Sequence, residues 1–199
     1  MIRRDFLVFG GATCLALRGQ TVSSQTWSER YGRSQPIEIT KVDLNGLTPG
    51  QQMLIKFRDG PVTVRYRTQK EVDAARSTPL SELPDKFARN ANLRADAPAT
   101  DENRSFGEDG RWLVYRPICT HLNFITFPAT QPFGDEPYWI NCPSHGGRYD
   151  SAGRVRAGPA PENLPIPPVR FLSNGVLEIR SRDSFSNEKA VRDSHPSDW

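Results

Sequence analysis

A chain of 199 residues that is 36% hydrophobic, with seventeen prolines and fifteen glycines, has room for one turn-rich β domain with a modest core, plus tails. Its formal net charge of +3 is too small to recruit nucleic acid. No basic stripe with interleaved aromatics runs through it, so that class of partner is set aside.

The amino terminus reads Arg3-Arg4-Asp5-Phe6-Leu7 and continues as an apolar stretch to Leu17, the pattern of a bacterial twin-arginine export signal. The stretch from Phe6 to Leu17 holds twelve residues, whereas a membrane-spanning helix needs about twenty. Residues 1–20 therefore read either as a cleaved signal or as a short membrane anchor. Cys14 reads as a small apolar residue of this segment. Residues 21–35 are polar and aperiodic, which suits a linker or hinge ahead of a folded head at 36–181.

Within the head, residues 37–42, 52–57 and 62–66 read as strands, and Asn45-Gly46 and Asp59-Gly60 mark the turns between them. Thr68-Gln69-Lys70-Glu71 has the capping-box pattern, in which threonine hydroxyl and glutamate carboxylate satisfy free backbone N–H groups, and predicts a brief helix. From Lys86 to Gly110 the chain has few apolar residues, and Pro98 interrupts it. It reads as a surface excursion remote from any chemistry.

Residues 112–115 and 138–140 read as two further strands, with aromatics that belong to the core. Phe171-Leu172, Asn174-Gly175 and residues 176–179 predict a closing hairpin. Residues 182–199 are charged and patternless and read as a mobile tail; His195, beside Pro196, lies there and is given no ligand role.

Between these strands stand two short tracts, Cys119-Thr120-His121-Leu122 and Cys142-Pro143-Ser144-His145-Gly146. They hold two of the chain's three cysteines and two of its three histidines. Cys-x-His and Cys-x-x-His each put one thiolate and one imidazole on a tight loop, so each loop can aim sulfur and nitrogen at a common centre. That ligand set suits one zinc or the two irons of a [2Fe-2S] cluster. A disulfide between Cys119 and Cys142, or two inert thiols, is the bland alternative, and it leaves the register of the histidines unexplained.

Three further tracts carry a resemblance: Gly60-Pro61-Val62-Thr63-Val64-Arg65-Tyr66-Arg67-Thr68, then Arg148-Tyr149-Asp150-Ser151-Ala152-Gly153-Arg154-Val155-Arg156-Ala157-Gly158-Pro159-Ala160-Pro161, then Asn163-Leu164-Pro165-Ile166-Pro167. With the ligand tracts, and over most of the chain, they make it similar to the Rieske iron-sulfur subunit of the cytochrome bc complex. The resemblance implies a mainly β, Rieske-type antiparallel sandwich with a small cluster-binding subdomain at about 116–165. It implies one [2Fe-2S] cluster, with Cys119 and Cys142 on the inner iron and His121 and His145 on the outer one. It implies that His121 and His145 meet the quinol, and that Leu122, Gly147, Tyr149, Gly158 and Pro159 line or shield the cluster. Cytochrome b, a c-type cytochrome, quinol and the membrane are the partners it implies. The head would sit on the periplasmic side of a bacterial inner membrane and swing on its linker.

The chain also departs from that family pattern. The motifs Cys-Thr-His-Leu-Gly-Cys and Cys-Pro-Cys-His-Gly-Ser supply a disulfide that ties the two loops, and here Phe124 and Ser144 occupy its positions. Phe124, packed against the proline turn, is the apolar residue available as a brace in its place. Gly147 replaces a serine whose hydroxyl bonds a cluster sulfur, and this predicts a lowered reduction potential. These losses and the short anchor leave a second reading open: an exported Rieske electron carrier of a non-quinol enzyme such as arsenite oxidase.

Overall fold

The computed structural model describes residues 38–107, 109–128, 139–172 and 175–181. The expected signal or anchor at 1–20, the linker at 21–35 and the tail at 182–199 lie outside the described residues, as do Cys14, Tyr138, Asn174 and His195. No helix among the described residues is long and apolar enough to cross a membrane.

Three antiparallel sheets account for the strands. The first orders β1 (Ile39–Asp43), β10 (Val176–Arg180) and β9 (Val169–Leu172), with Val42 opposite Leu177 and Leu177 opposite Phe171. The second orders β2 (Gln52–Ile55), β3 (Val62–Tyr66) and β4 (Trp112–Tyr115), with Val64 opposite both Met53 and Val114. The third orders β5 (Phe127–Pro128), β6 (Ile140–Cys142), β7 (Gly147–Tyr149) and β8 (Val155–Ala157).

Strands β3 and β4 of the second sheet are buried on both faces, and the pleat separates two cores across them. Val62, Val64 and Val114 pack with Leu44, Phe57, Val169, Leu177 and Ile179 of the base. Leu113 and Tyr115, one residue either side of Val114, instead join Cys119, Ile140, Cys142, Tyr149, Val155, Ala160 and Leu164. Each such aliphatic side chain, taken fully out of water, contributes about 1.5 to 3 kcal/mol. The period-2 pattern of one strand thus sends Leu113 and Tyr115 into the core that also holds Cys119 and Cys142.

The helix α1 (Gln69–Arg76) starts at the expected capping box: Glu71 N–H donates to the Thr68 hydroxyl at 3.3 Å, and Thr68 N–H donates to the Glu71 carboxylate at 2.8 Å. The same carboxylate pairs with buried Arg65 of β3 at 2.5 Å. The cap therefore also ties the helix to the central sheet.

The reading of residues 86–110 as a surface excursion is corrected by their burial. Ala88, Ala99, Asp101 and Arg104 are enclosed, and Asn90 bridges to Ile166. Arg104 is fully buried and donates to four backbone carbonyls: Ala152 at 2.7 Å, Leu164 at 2.8 Å, Gly153 at 3.2 Å, and Ala88. Burial pulls its guanidinium down to about 9, so it stays charged at neutral pH. Buried Arg67 forks onto Asp101, at 2.6 and 3.2 Å, and buried Arg154 pairs with Asp150 at 2.6 Å while donating to Ala75 of α1 and to Ala99. A low apolar count concealed a segment held by internal charge and hydrogen bonds.

Candidate metal centre

The first ligand loop leaves β4 and is folded back on itself by its own backbone. Cys119 N–H donates to Phe124 C=O at 2.7 Å, Asn123 N–H to Cys119 C=O at 3.0 Å, and Thr126 N–H to Pro117 C=O at 2.8 Å. Asn123 adopts φ 59°, a left-handed turn that asparagine tolerates better than most residues. The result is a closed loop with Cys119 buried at its base, His121 half-buried, and Leu122 exposed at its tip.

The second loop is the connection between β6 and β7. Cys142 ends β6 and is paired with Gly147, and Gly146 N–H donates to Cys142 C=O at 3.0 Å through a left-handed glycine, φ 73°. Cys142 is buried, whereas His145 is exposed. Burial pushes the Cys142 thiol up, against backbone N–H bonds from Ser144 and His145 that favour the thiolate. Such N–H groups hold negative charge on sulfur once a metal is bound.

The two loops bring like ligands together. The free thiols of Cys119 and Cys142 lie within hydrogen-bonding reach of each other, inside the same core. The rings of His121 and His145 lie edge to face with centroids 4.9 Å apart. The His121 Nδ1 atom is buried without a hydrogen-bond partner, a state that costs free energy and that a metal bond at this nitrogen would relieve. A buried sulfur pair and an outer nitrogen pair fit the inner and outer irons of a Rieske cluster.

Tyr149, fully buried on β7, donates its hydroxyl to Cys119 Sγ at 3.3 Å and accepts from Thr120 N–H at 3.4 Å. Burial, and then the Cys119 contact, raise its pKa far above the usual phenol range, so it stays a donor. Gly147 backs onto both sulfur-bearing side chains: a Cβ there would lie 3.2 Å from Cys119 Sγ and 3.4 Å from Cys142 Cβ. The proline turn abuts the second loop, since a Cβ on Gly158 would lie 2.4 Å from Gly146 C=O oxygen. Gly158 and Pro159 stay exposed, and it is Ala160 that packs inward beside the cysteines.

Two contributions escaped sequence reasoning. Thr120 accepts from Glu162 N–H at 3.3 Å and donates to Glu162 C=O at 2.7 Å, pinning the first loop to the residue after the proline turn. Phe124, expected against that turn, sets its ring against His145, with centroids 5.9 Å apart and planes at 73°. A hydroxyl beside a ligand was the available signal for Thr120; nothing local in the sequence marks the partner of Phe124.

A model of the Rieske [2Fe-2S] domain matches residues 89–168, which span both ligand loops and the Arg104 segment. Among curated proteins the chain is 40% identical over 179 residues to the ubiquinol-cytochrome c reductase iron-sulfur subunit of Cereibacter sphaeroides, covering 89% of this chain and 94% of the relative. It is 43% identical over 188 residues to that of Rhodobacter capsulatus, with the same two coverages. To that of Rhodospirillum rubrum it is 38% identical over 182 residues, covering 89% of this chain and 91% of the relative. Ordered ligand loops on a three-sheet β fold, and likeness along nearly the whole chain, place this protein in the family of ubiquinol-cytochrome c reductase iron-sulfur subunits.

Proposed function

We propose that the chain is the iron-sulfur subunit of a quinol:cytochrome c oxidoreductase, taking an electron and a proton from quinol and passing the electron to a c-type cytochrome. Cys119 and Cys142 hold the inner iron of one [2Fe-2S] cluster, and His121 and His145 hold the outer one. The observation that carries this is the buried, adjacent thiol pair beneath two paired imidazoles, one of which has its Nδ1 atom buried without a partner. When bound, the cluster supplies one-electron redox capacity at a potential set by charge, hydrogen bonds to sulfur and exposure.

The protein's own groups supply the rest. With Nδ1 of His121 turned inward, its Nε2 is the nitrogen left to receive a quinol proton, and His145, exposed on the second loop, offers the same group. Leu122, 56% exposed at the loop tip, gives the quinol and the cytochrome b subunit an apolar rim. Tyr149 and Ala160 close the sulfur side against water. That all three relatives are ubiquinol-cytochrome c reductase iron-sulfur subunits favours this reading over an arsenite oxidase type of carrier.

The reading extends to the parts outside the described residues: 1–20 as twin-arginine signal or short anchor, 21–35 as the hinge, and the head on the periplasmic face of a bacterial inner membrane. The test is purification of the full-length chain from native membranes. Expected are co-purification with cytochrome b and a c-type cytochrome, and an EPR spectrum of a reduced cluster with two nitrogen ligands. A colourless protein with Cys119 and Cys142 bonded to each other overturns it.

A further inference from the structure

From the ring geometry across the two ligand loops, we infer that Phe124 is a positioning residue for His145 and serves as a non-covalent brace between the loops. The inference rests on the cluster reading given above. Phe124 is tied to both sides of the site: its carbonyl accepts from Cys119 N–H at 2.7 Å, and its ring meets the His145 ring at 5.9 Å. His145 in turn meets His121 at 4.9 Å and 88°, so three rings run edge to face from the first loop to the second and back. One residue thereby links a sulfur ligand of its own loop to a nitrogen ligand of the other.

Among the described residues no thiol is left over for that task. Both described cysteines are free and are the ones needed as ligands, and Ser144 stands on the second loop next to His145. Each loop is closed by its own backbone bonds, yet no backbone hydrogen bond joins the tip of one to the tip of the other among those described. The hydrogen bonds of the Thr120 hydroxyl fix the first loop to Glu162. The Phe124 contact therefore holds the outer imidazole in place, and it forms as the loops fold, without an oxidant. Half of Phe124 is exposed, so it is a cover over the site as well as a brace.

The test compares the full chain with Phe124→Ala, Phe124→Leu and Phe124→Tyr, and with the paired change Phe124→Cys, Ser144→Cys. For the parent, the rate of cluster loss on dilution, followed by visible absorbance, is expected to be the same with and without dithiothreitol. Phe124→Ala is expected to lose cluster roughly fivefold faster, equivalent to about 1 kcal/mol, the scale of one aromatic contact. Phe124→Leu is expected to resemble Phe124→Ala, and Phe124→Tyr the parent. The paired cysteine variant is expected to retain cluster when oxidised and to lose it faster once dithiothreitol is added.

Positioning has its own signature. The histidine-nitrogen couplings in pulsed EPR should shift in Phe124→Ala and return in Phe124→Tyr, which a general loss of stability would not produce. Parent-like couplings and retention in Phe124→Ala overturn the inference while leaving the cluster reading intact. A parent that never takes up a cluster overturns both.

Discussion

Tyr149 and Cys119 are joined by a hydrogen bond of 3.3 Å between two residues that are both almost wholly removed from water. A donor aimed at a sulfur ligand stabilises the more negative, reduced form of a bound cluster and so raises its potential. Tyr149→Phe should lower the reduction potential by about 60 mV, the one-electron equivalent of about 1.4 kcal/mol. Potentiometry monitored by EPR checks this, and an unchanged value removes Tyr149 from the set of tuning groups.

Gly147 offers the opposite experiment. Its φ is not positive, and a Cβ there stays outside 3.0 Å of every neighbour, with Cys119 Sγ nearest at 3.2 Å. The site is tight, but serine fits with a shift of a few tenths of an ångström. Gly147→Ser should raise the potential by roughly 60 mV through a new hydroxyl-to-sulfur bond. The parent should accordingly titrate below relatives that carry a serine there.

The proline turn is fixed by sterics. A Cβ at Gly158, φ 86°, would meet Gly146 oxygen at 2.4 Å and Gly147 Cα at 2.8 Å, all of it backbone. Gly158→Ala should cost about 2 to 5 kcal/mol, from overpacking plus left-handed strain, and displace the second ligand loop. Gly146→Ala, with φ 73° but open space around it, should cost only the strain, about 1 to 2 kcal/mol. Denaturant unfolding, read beside iron content, distinguishes the two.

Asp85 latches the 85–89 segment to the chain beyond the proline turn. Its carboxylate accepts from Arg89 at 2.9 Å, from Asn163 N–H at 2.9 Å and from Phe87 N–H at 3.1 Å. Burial pushes its pKa up, but the Arg89 guanidinium and the two backbone donors outweigh that and hold it below the ordinary carboxylate value. The unfolded chain therefore binds this proton more tightly, so the stability from Asp85 is complete above the unfolded value near pH 4 and is lost as pH falls through the lower folded value. Asp85→Asn should cost about 2 kcal/mol at pH 7, with the gap from the parent narrowing below about pH 4. Urea unfolding at both pH values tests the sign.

Legibility followed the kind of force involved. Strands β1 to β4 and α1 were readable because alternation and a capping box are local signals, and the meeting of the two Cys/His loops was readable because Cys and His in register have a specific chemistry. The stretch around Arg104 was not, since its order comes from a buried cation that satisfies carbonyls far along the chain. Phe124 failed for a related reason. Apolar character foretold that it would pack, while its partner depended on where the second loop came to lie.

The strand holding Leu113, Val114 and Tyr115 works as a bulkhead. The departures at Phe124, Ser144 and Gly147 all sit on or beside the loops that carry Cys119 and Cys142, and those two cysteines share a core with Leu113 and Tyr115. The opposite compartment is formed by Leu44, Phe57, Val62, Val64, Val114, Val169, Leu177 and Ile179, and none of those three positions belongs to it. Substitutions beside the two cysteines therefore act on one core and leave the packing of the other in place.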